Sequence, residues 1–314
     1  MLRDLQQLPK LSDSISYLYI EHAALTQDKY GLLVLQEGSK VYLPVAALTV
    51  LLLGPGTRTT HAAIKTLADN GCTVVWVGED GTRYYAHGRG ETRRARHLLH
   101  QARLVSDPRL RLEVCRRMYR HRFQEPLDPH LTLQQLRGME GARVRTAYAQ
   151  ASVRHNVPWE GRRYRLGQWE RNDPINRALS AANALLNGLC HAAIVAGGYS
   201  PALGFIHTGN YRSFVYDIAD LYKVEITIPT AFRVVGESTE RVEPRVRQAC
   251  RAVFKEQKLL QRILPDIAEV LDVPEPLLRP EKQDAEPGEP KPLWDPPPEV
   301  EAALLEQIGE SSWS

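Results

Sequence analysis

With 314 residues, 43% of them hydrophobic and 25% charged, the chain can fill one large or two ordinary domains and is too apolar to be disordered as a whole. Its four cysteines, Cys72, Cys115, Cys190 and Cys250, form no CxxC pair, which argues against a zinc site or a disulfide framework. The net charge of +3 hides a sharp division, because residues 89–165 hold eighteen arginines and no lysine, whereas residues 266–314 hold thirteen acids and three basic side chains.

Residues 15–88 read as short strands. The runs at 15–21, 32–36, 40–45 and 73–77 are rich in β-branched and aromatic residues and punctuated by glycine. Asp80-Gly81 is expected to turn the last of these back into TRYYAHG. One helix is expected from about His61 to Asn70, where Ile64, Leu67 and Ala68 share a face. The start of the chain has no basic flank leading into an apolar run. Its longest greasy stretch, residues 44–53, is about half of the ~20 residues that a membrane helix needs, so a cytoplasmic protein with no membrane partner is expected.

From Thr92 the period becomes helical, with Leu98, Leu99, Ala102 and Val105, then Leu110, Val114, Cys115 and Met118. Pro108 can open a helix after Asp107, and further helices are expected at 131–155, 174–196, 212–223 and 243–271. The arginines of this region offer planar forks suited to phosphate, so a nucleic-acid surface competes with a plain solvated helix face. From Pro274 to Pro298, nine prolines mix with acids in a segment that cannot bury a core alone. The fold class expected is α+β: a small N-terminal β-sandwich-like domain with one helix (1–88), a larger all-α domain carrying the active site (89–272), and an acidic Pro-rich tail (273–314), either disordered or bound to a partner.

Three stretches carry chemistry. Glu140 lies between Gly138 and Gly141 on an expected helix, which suggests close approach of another group to that backbone; the alternative is a surface Glu paired with Arg137 or Arg143. His207 follows an apolar pair in the loop Gly204–Gly209. Asp217 and Asp220 lie three apart on an expected helix among the apolar Phe214, Val215, Ile218 and Leu221, and buried acids there need a base or a cation. Two hard carboxylates and an imidazole suit Mg²⁺ or Mn²⁺ better than zinc. As ligands of one ion they would converge to within roughly 5 Å of each other.

GMEGARVR, RRYRLGQWE, GFIHTGN and SFVYDIADLYK, with PGTR (55–58), HAAIKTLA and VVWVGEDG, together resemble the CRISPR-associated integrase of spacer acquisition, the larger universal adaptation protein, in its subtype I-E branch. The resemblance spans about residues 15–272. It implies a metal-dependent DNA endonuclease and integrase in which the 3′-hydroxyl of a captured fragment attacks a phosphodiester at the boundary of a CRISPR repeat. A nuclease hydrolysing branched or repair-intermediate DNA is the alternative.

By the same resemblance Glu140, His207 and Asp220 are the metal ligands, and Asp217 is a further acid that supports activity. Implied DNA contacts are Arg58 and Arg83 of the β region, Arg111, Arg137, Arg162 and Arg247 of the helical region, and Tyr164 and Trp169 near the fragment's 3′ end. The implied partners are double-stranded DNA with 3′ overhangs or splayed ends, CRISPR repeat DNA, a second copy of the chain, and a small ferredoxin-like adaptation protein. Two dimers of this chain would flank one dimer of that protein, on which the tail is expected to dock. Two departures stand out: His22 occupies the place of a duplex-stacking tyrosine, and Asn210 that of a motif-reading lysine.

Overall fold

The computed structural model describes residues 17–28, 31–43, 45, 48, 50–79, 84–88, 95–123, 127–128, 130–162, 173–278 and 299. The Asp80-Gly81 turn, Arg83, Tyr164, Trp169 and the Pro-rich tail beyond Leu278, Glu299 excepted, lie outside these residues. The described residues from Tyr17 to Leu278 belong to one compact unit.

The strands make two four-stranded sheets among the described residues. In the first, β1 (Tyr17–Ile20), β5 (Val50–Leu53) and β7 (Thr73–Val77) run parallel, and β8 (Tyr84–His87) returns antiparallel to β7. In the second, β2 (Ala24–Asp28) and β4 (Ser39–Leu43) flank β3 (Gly31–Gln36) antiparallel, and the short β6 (Arg58–Thr59) pairs parallel with β2. Strands β2 and β5 escape a reading by alternation. β5 is buried on both faces and presents the continuous apolar run VLLL typical of a parallel strand.

The sheets share a core with α1 (His61–Asp69), whose first turn is capped by the Thr60 hydroxyl accepting from the Ala63 N–H. The other face of the first sheet, through Val50, Leu52, Val75 and Val77, packs on Ala192 and Ala196. Those alanines belong to α5 (Pro174–Ala196), around which the helical region is built. By length and composition α5 could cross a membrane, yet 67% of its most apolar stretch is buried against the rest of the protein. The other helices are α2 (Arg96–Ser106), α3 (Pro108–Phe123), α4 (Leu133–His155), α6 (Ser213–Ala219), α7 (Ile228–Glu237), α8 (Val242–Glu256), α9 (Leu259–Leu271) and the short α10 (Glu275–Leu278).

Local chemistry explains most boundaries. The Asp107 carboxylate accepts from the N–H groups of Arg109 and Leu110 and starts α3 at Pro108. Thr132 and Gln135 form a reciprocal capping box at the head of α4. The single helix expected over 243–271 is two, because Lys258 adopts a left-handed φ of 50° between α8 and α9. The expected helix at 212–223 ends at Ala219, and a π turn over Lys223–Thr227 leads into α7.

Candidate active site

Asp217 is the organising group. It sits on α6 with no exposed surface. One carboxylate oxygen accepts from the backbone N–H groups of Phe205 (2.6 Å) and Ile206 (3.1 Å). The other accepts from the His207 N–H (2.9 Å) and its ring Nδ1 (2.7 Å). The buried acid expected to need a base or a cation therefore satisfies itself on one loop. An acceptor at Nδ1 fixes the imidazole tautomer and turns the Nε2 lone pair outward, where it meets the Asp220 Oδ2 at 3.9 Å. The His207 ring also meets Tyr216 edge-on, with centroids 5.8 Å apart.

The loop that bears His207 is held from α2 and α3. The buried Gln101 side chain donates to the carbonyls of Ser200 and Leu203 and accepts from the Ser200 N–H. Arg111 donates through Nε and one terminal nitrogen to Phe205 O (3.0 and 2.8 Å), and that nitrogen also reaches Gly204 O (3.3 Å). Gly204 has no room for a side chain, since a Cβ would strike the His207 carbonyl and Ser213. Gly209 supplies the left-handed φ of 79° that turns the chain toward α6.

Asp220 follows the end of α6, and its carboxylate is mostly buried. Lys223 reaches its Oδ1 at 2.5 Å and Arg122 its Oδ2 at 3.8 Å. Burial alone would raise this carboxyl, but the Lys223 and Arg122 charges overrule it and hold the group below the ordinary aspartate value. Glu140, on α4, approaches the other terminal nitrogen of Arg122 at 3.8 Å through Oε1, and Arg143 at 3.5 Å through Oε2.

Thus the pairing with Arg143 weighed as the alternative for Glu140 exists, in a side chain that nonetheless faces the His207–Asp220 pair across one guanidinium. The close approach expected at the flanking glycines is absent: nothing among the described residues lies within 4 Å of a Cβ built on Gly138, and only the Arg145 side chain does at Gly141. Glu140, His207 and Asp220 do not all close to ligand spacing. Among the described residues, the group that brings three ligand atoms mutually within 4.8 Å is instead His121, Asp266 and Glu269 on α3 and α9.

Arg122 is the site residue that sequence reasoning misses. It is 4% exposed, and a signal existed: it follows Val114 and Met118 at four-residue steps, on the core stripe of α3 rather than its wet face. Of the other expected residues, Arg58 is exposed on β6, Arg137 is exposed on α4, and Arg247 is partly exposed on α8. Arg162 grips the head of α5 through Asn176 and Ser180. His22 is exposed in the turn between β1 and β2, with φ at 49°.

The donor set fits a hard divalent cation, with two carboxylates and an imidazole nitrogen whose orientation is already set. A family model described as CRISPR associated protein Cas1 matches residues 17–128 and 121–243. The CRISPR-associated endonuclease Cas1 2 of Thermus thermophilus is 52% identical over 305 residues, 96% of this chain and 93% of the relative. The CRISPR-associated endonuclease Cas1 of Escherichia coli is 42% identical over 262 residues, 83% of this chain and 86% of the relative. Among solved structures, a TtCas1–DNA complex superposes with a TM-score of 0.75 at 54% identity, covering 85% of this chain and all of that one. A casposase bound to integration product, 13% identical with a TM-score of 0.53 over 86% of this chain and all of that one, shares the fold. On the strength of the family match and of relatives aligned over most of their length, the chain belongs to the Cas1 family.

Proposed function

We propose that this protein is a metal-dependent DNA endonuclease and integrase of CRISPR adaptation, of the subtype I-E branch, in which a fragment's 3′-hydroxyl attacks a repeat-boundary phosphodiester. The observation that carries the reading is the pinned His207, whose Nδ1 is fixed by Asp217 at 2.7 Å and whose Nε2 faces Asp220 at 3.9 Å. Glu140, His207 and Asp220 would hold the ion. When bound, Mg²⁺ or Mn²⁺ supplies charge at the scissile phosphate and lowers the pKa of the attacking hydroxyl. Asp217 presents the imidazole, while Gln101 and Arg111 keep the loop from shifting. The exposed arginines Arg58 and Arg137 would track phosphates and position the duplex without reading bases. His22 would stack on the duplex end.

Dimerisation and a small ferredoxin-like partner belong to the same reading, supported by the kinship with the relatives above. The test joins the protein and that partner with a repeat-bearing plasmid and a short duplex. Joined product with a 3′-hydroxyl fragment, and none with a 3′-dideoxy fragment or with Glu140→Ala, is the expected result. Nicking without joining would favour the hydrolytic alternative, and no reaction at any metal concentration would overturn the enzyme reading.

A further inference from the structure

We infer that Arg122 is a built-in counter-cation standing in the place of the divalent ion, and that it must leave the space between Glu140 and Asp220 when the ion enters. The inference rests on the reading of Glu140, His207 and Asp220 as ligands and adds a competitor to that site.

The oxygens sort into two classes. The outer ones are served by surface cations, Glu140 Oε2 by Arg143 and Asp220 Oδ1 by Lys223. The inner ones, Glu140 Oε1 and Asp220 Oδ2, face the two terminal nitrogens of Arg122, each at 3.8 Å. Asp220 Oδ2 is also the atom that faces His207 Nε2. The inner donor set around the guanidinium is therefore the set a metal would draw together.

Arg122 is poorly bonded where it sits. At 3.8 Å neither carboxylate contact is a hydrogen bond. Its Nε is buried with no hydrogen-bond partner among the described residues, and one terminal nitrogen donates to the Asp217 carbonyl at 3.3 Å. A buried guanidinium ordinarily satisfies its donors. Charge rather than hydrogen-bond geometry keeps this one in place, between inner carboxylate oxygens that Arg143 and Lys223 do not reach. An ion at about 2.1 Å from both inner oxygens would fill the same volume, so the two cations exclude one another. The site is thereby stable without metal and binds metal more weakly than its ligands alone would.

Mn²⁺ binding to the full-length protein, read from the electron-paramagnetic signal of the free ion, tests this together with melting in the presence and absence of Mn²⁺. Arg122→Met is expected to bind Mn²⁺ about tenfold tighter or more, to melt lower than the parent without metal, and to gain more from Mn²⁺. Arg122→Lys, which keeps the charge, is expected to bind like the parent. Unchanged or weaker binding in Arg122→Met overturns the inference. If that variant does not fold, the parent crystallised with Mn²⁺ decides. An ion located by anomalous scattering at the inner oxygens with the guanidinium moved away supports the inference. An ion there with both terminal nitrogens still within about 4 Å of those oxygens overturns it. Parent binding that survives Glu140→Ala with Asp220→Ala would instead overturn the ligand reading itself, and the competitor with it.

Discussion

Asp217 and His207 act as one unit: a carboxylate with no exposed surface accepts both the backbone N–H and the ring Nδ1 of the histidine, at 2.9 and 2.7 Å. The same carboxylate closes the N–H groups of Phe205 and Ile206. Asp217→Ala leaves those donors without their acceptor, each worth about 1–3 kcal/mol when buried. The variant is expected to lose ~3 kcal/mol or more in urea unfolding, and Mn²⁺ affinity with it as the imidazole loses its orientation. Asp217→Asn keeps one acceptor oxygen and is expected to fall between. A variant as stable as the parent would show that the loop holds itself.

Asp220→Ala separates chemistry from scaffold. Among the described residues the carboxylate takes no backbone N–H, and it lies between Lys223 and Arg122, so its loss removes charge compensation and leaves the loop intact. Strand joining is expected to fall ~100-fold or more, while the melting midpoint moves far less than in Asp217→Ala. Comparable loss of stability in both variants would contradict this division between two acids only three residues apart.

Much of this was legible before the structure. Hydrophobic periodicity located α1, α2 and α3, further helices were expected where α4 and α5 lie, and the order of motifs singled out Glu140, His207, Asp217 and Asp220. What periodicity could not show was β5, which is apolar on both faces and carries no alternation. Nor could it show the break at Lys258, where a residue without turn character takes a left-handed φ. Spacing alone did not separate Asp217 from Asp220, which only the resemblance assigned to different roles, because equal side chains on one helix edge differ only in what the loop brings to them. Arg122 was hidden among eighteen arginines. Only its register with Val114 and Met118 marks it as buried.

Arg58 and Arg111 make a paired test of DNA tracking. Arg58 is exposed on β6, whereas Arg111 has Nε and one terminal nitrogen committed to the loop carbonyls of Gly204 and Phe205. Arg58→Ala is expected to leave stability unchanged and to lower the slope of log affinity against log salt by about one. Arg111→Ala is expected to cost ~1–3 kcal/mol in stability, through loss of charged hydrogen bonds to the loop, and to leave most of the salt slope in place. The reverse pattern would assign Arg111 to phosphate and Arg58 to structure.

Two histidines give opposite pH dependences. The Asp266 carboxylate, 3.6 Å from the His121 Nε2, raises that imidazole above its ordinary value. Burial would raise Asp266, but His121 and the Tyr222 hydroxyl at 2.7 Å hold it below. The contribution of His121 is thus full below about pH 6.5 and lost as pH rises through its folded value. That of Asp266 is present above about pH 4 and lost as pH falls through its own. The pair stabilises most between those limits, and Asp266→Asn is expected to remove that gain. His191 runs the other way. Its ring stacks on Tyr84 at 3.6 Å, neither ring nitrogen has a hydrogen-bond partner among the described residues, and burial, reinforced by His87 and Arg212, pushes its pKa down to about 4. The unfolded imidazole takes its proton near pH 6.5, so each step of acidification below that point favours unfolding, by up to ~3 kcal/mol in all. His191→Phe keeps the stacked ring without the titration and is expected to flatten the acid limb of a melting-temperature profile between pH 6.5 and 4, whereas Asp266→Asn is expected to lower stability across that whole range. If the parent and His191→Phe lose stability in parallel over that range, the buried imidazole is not the group that titrates.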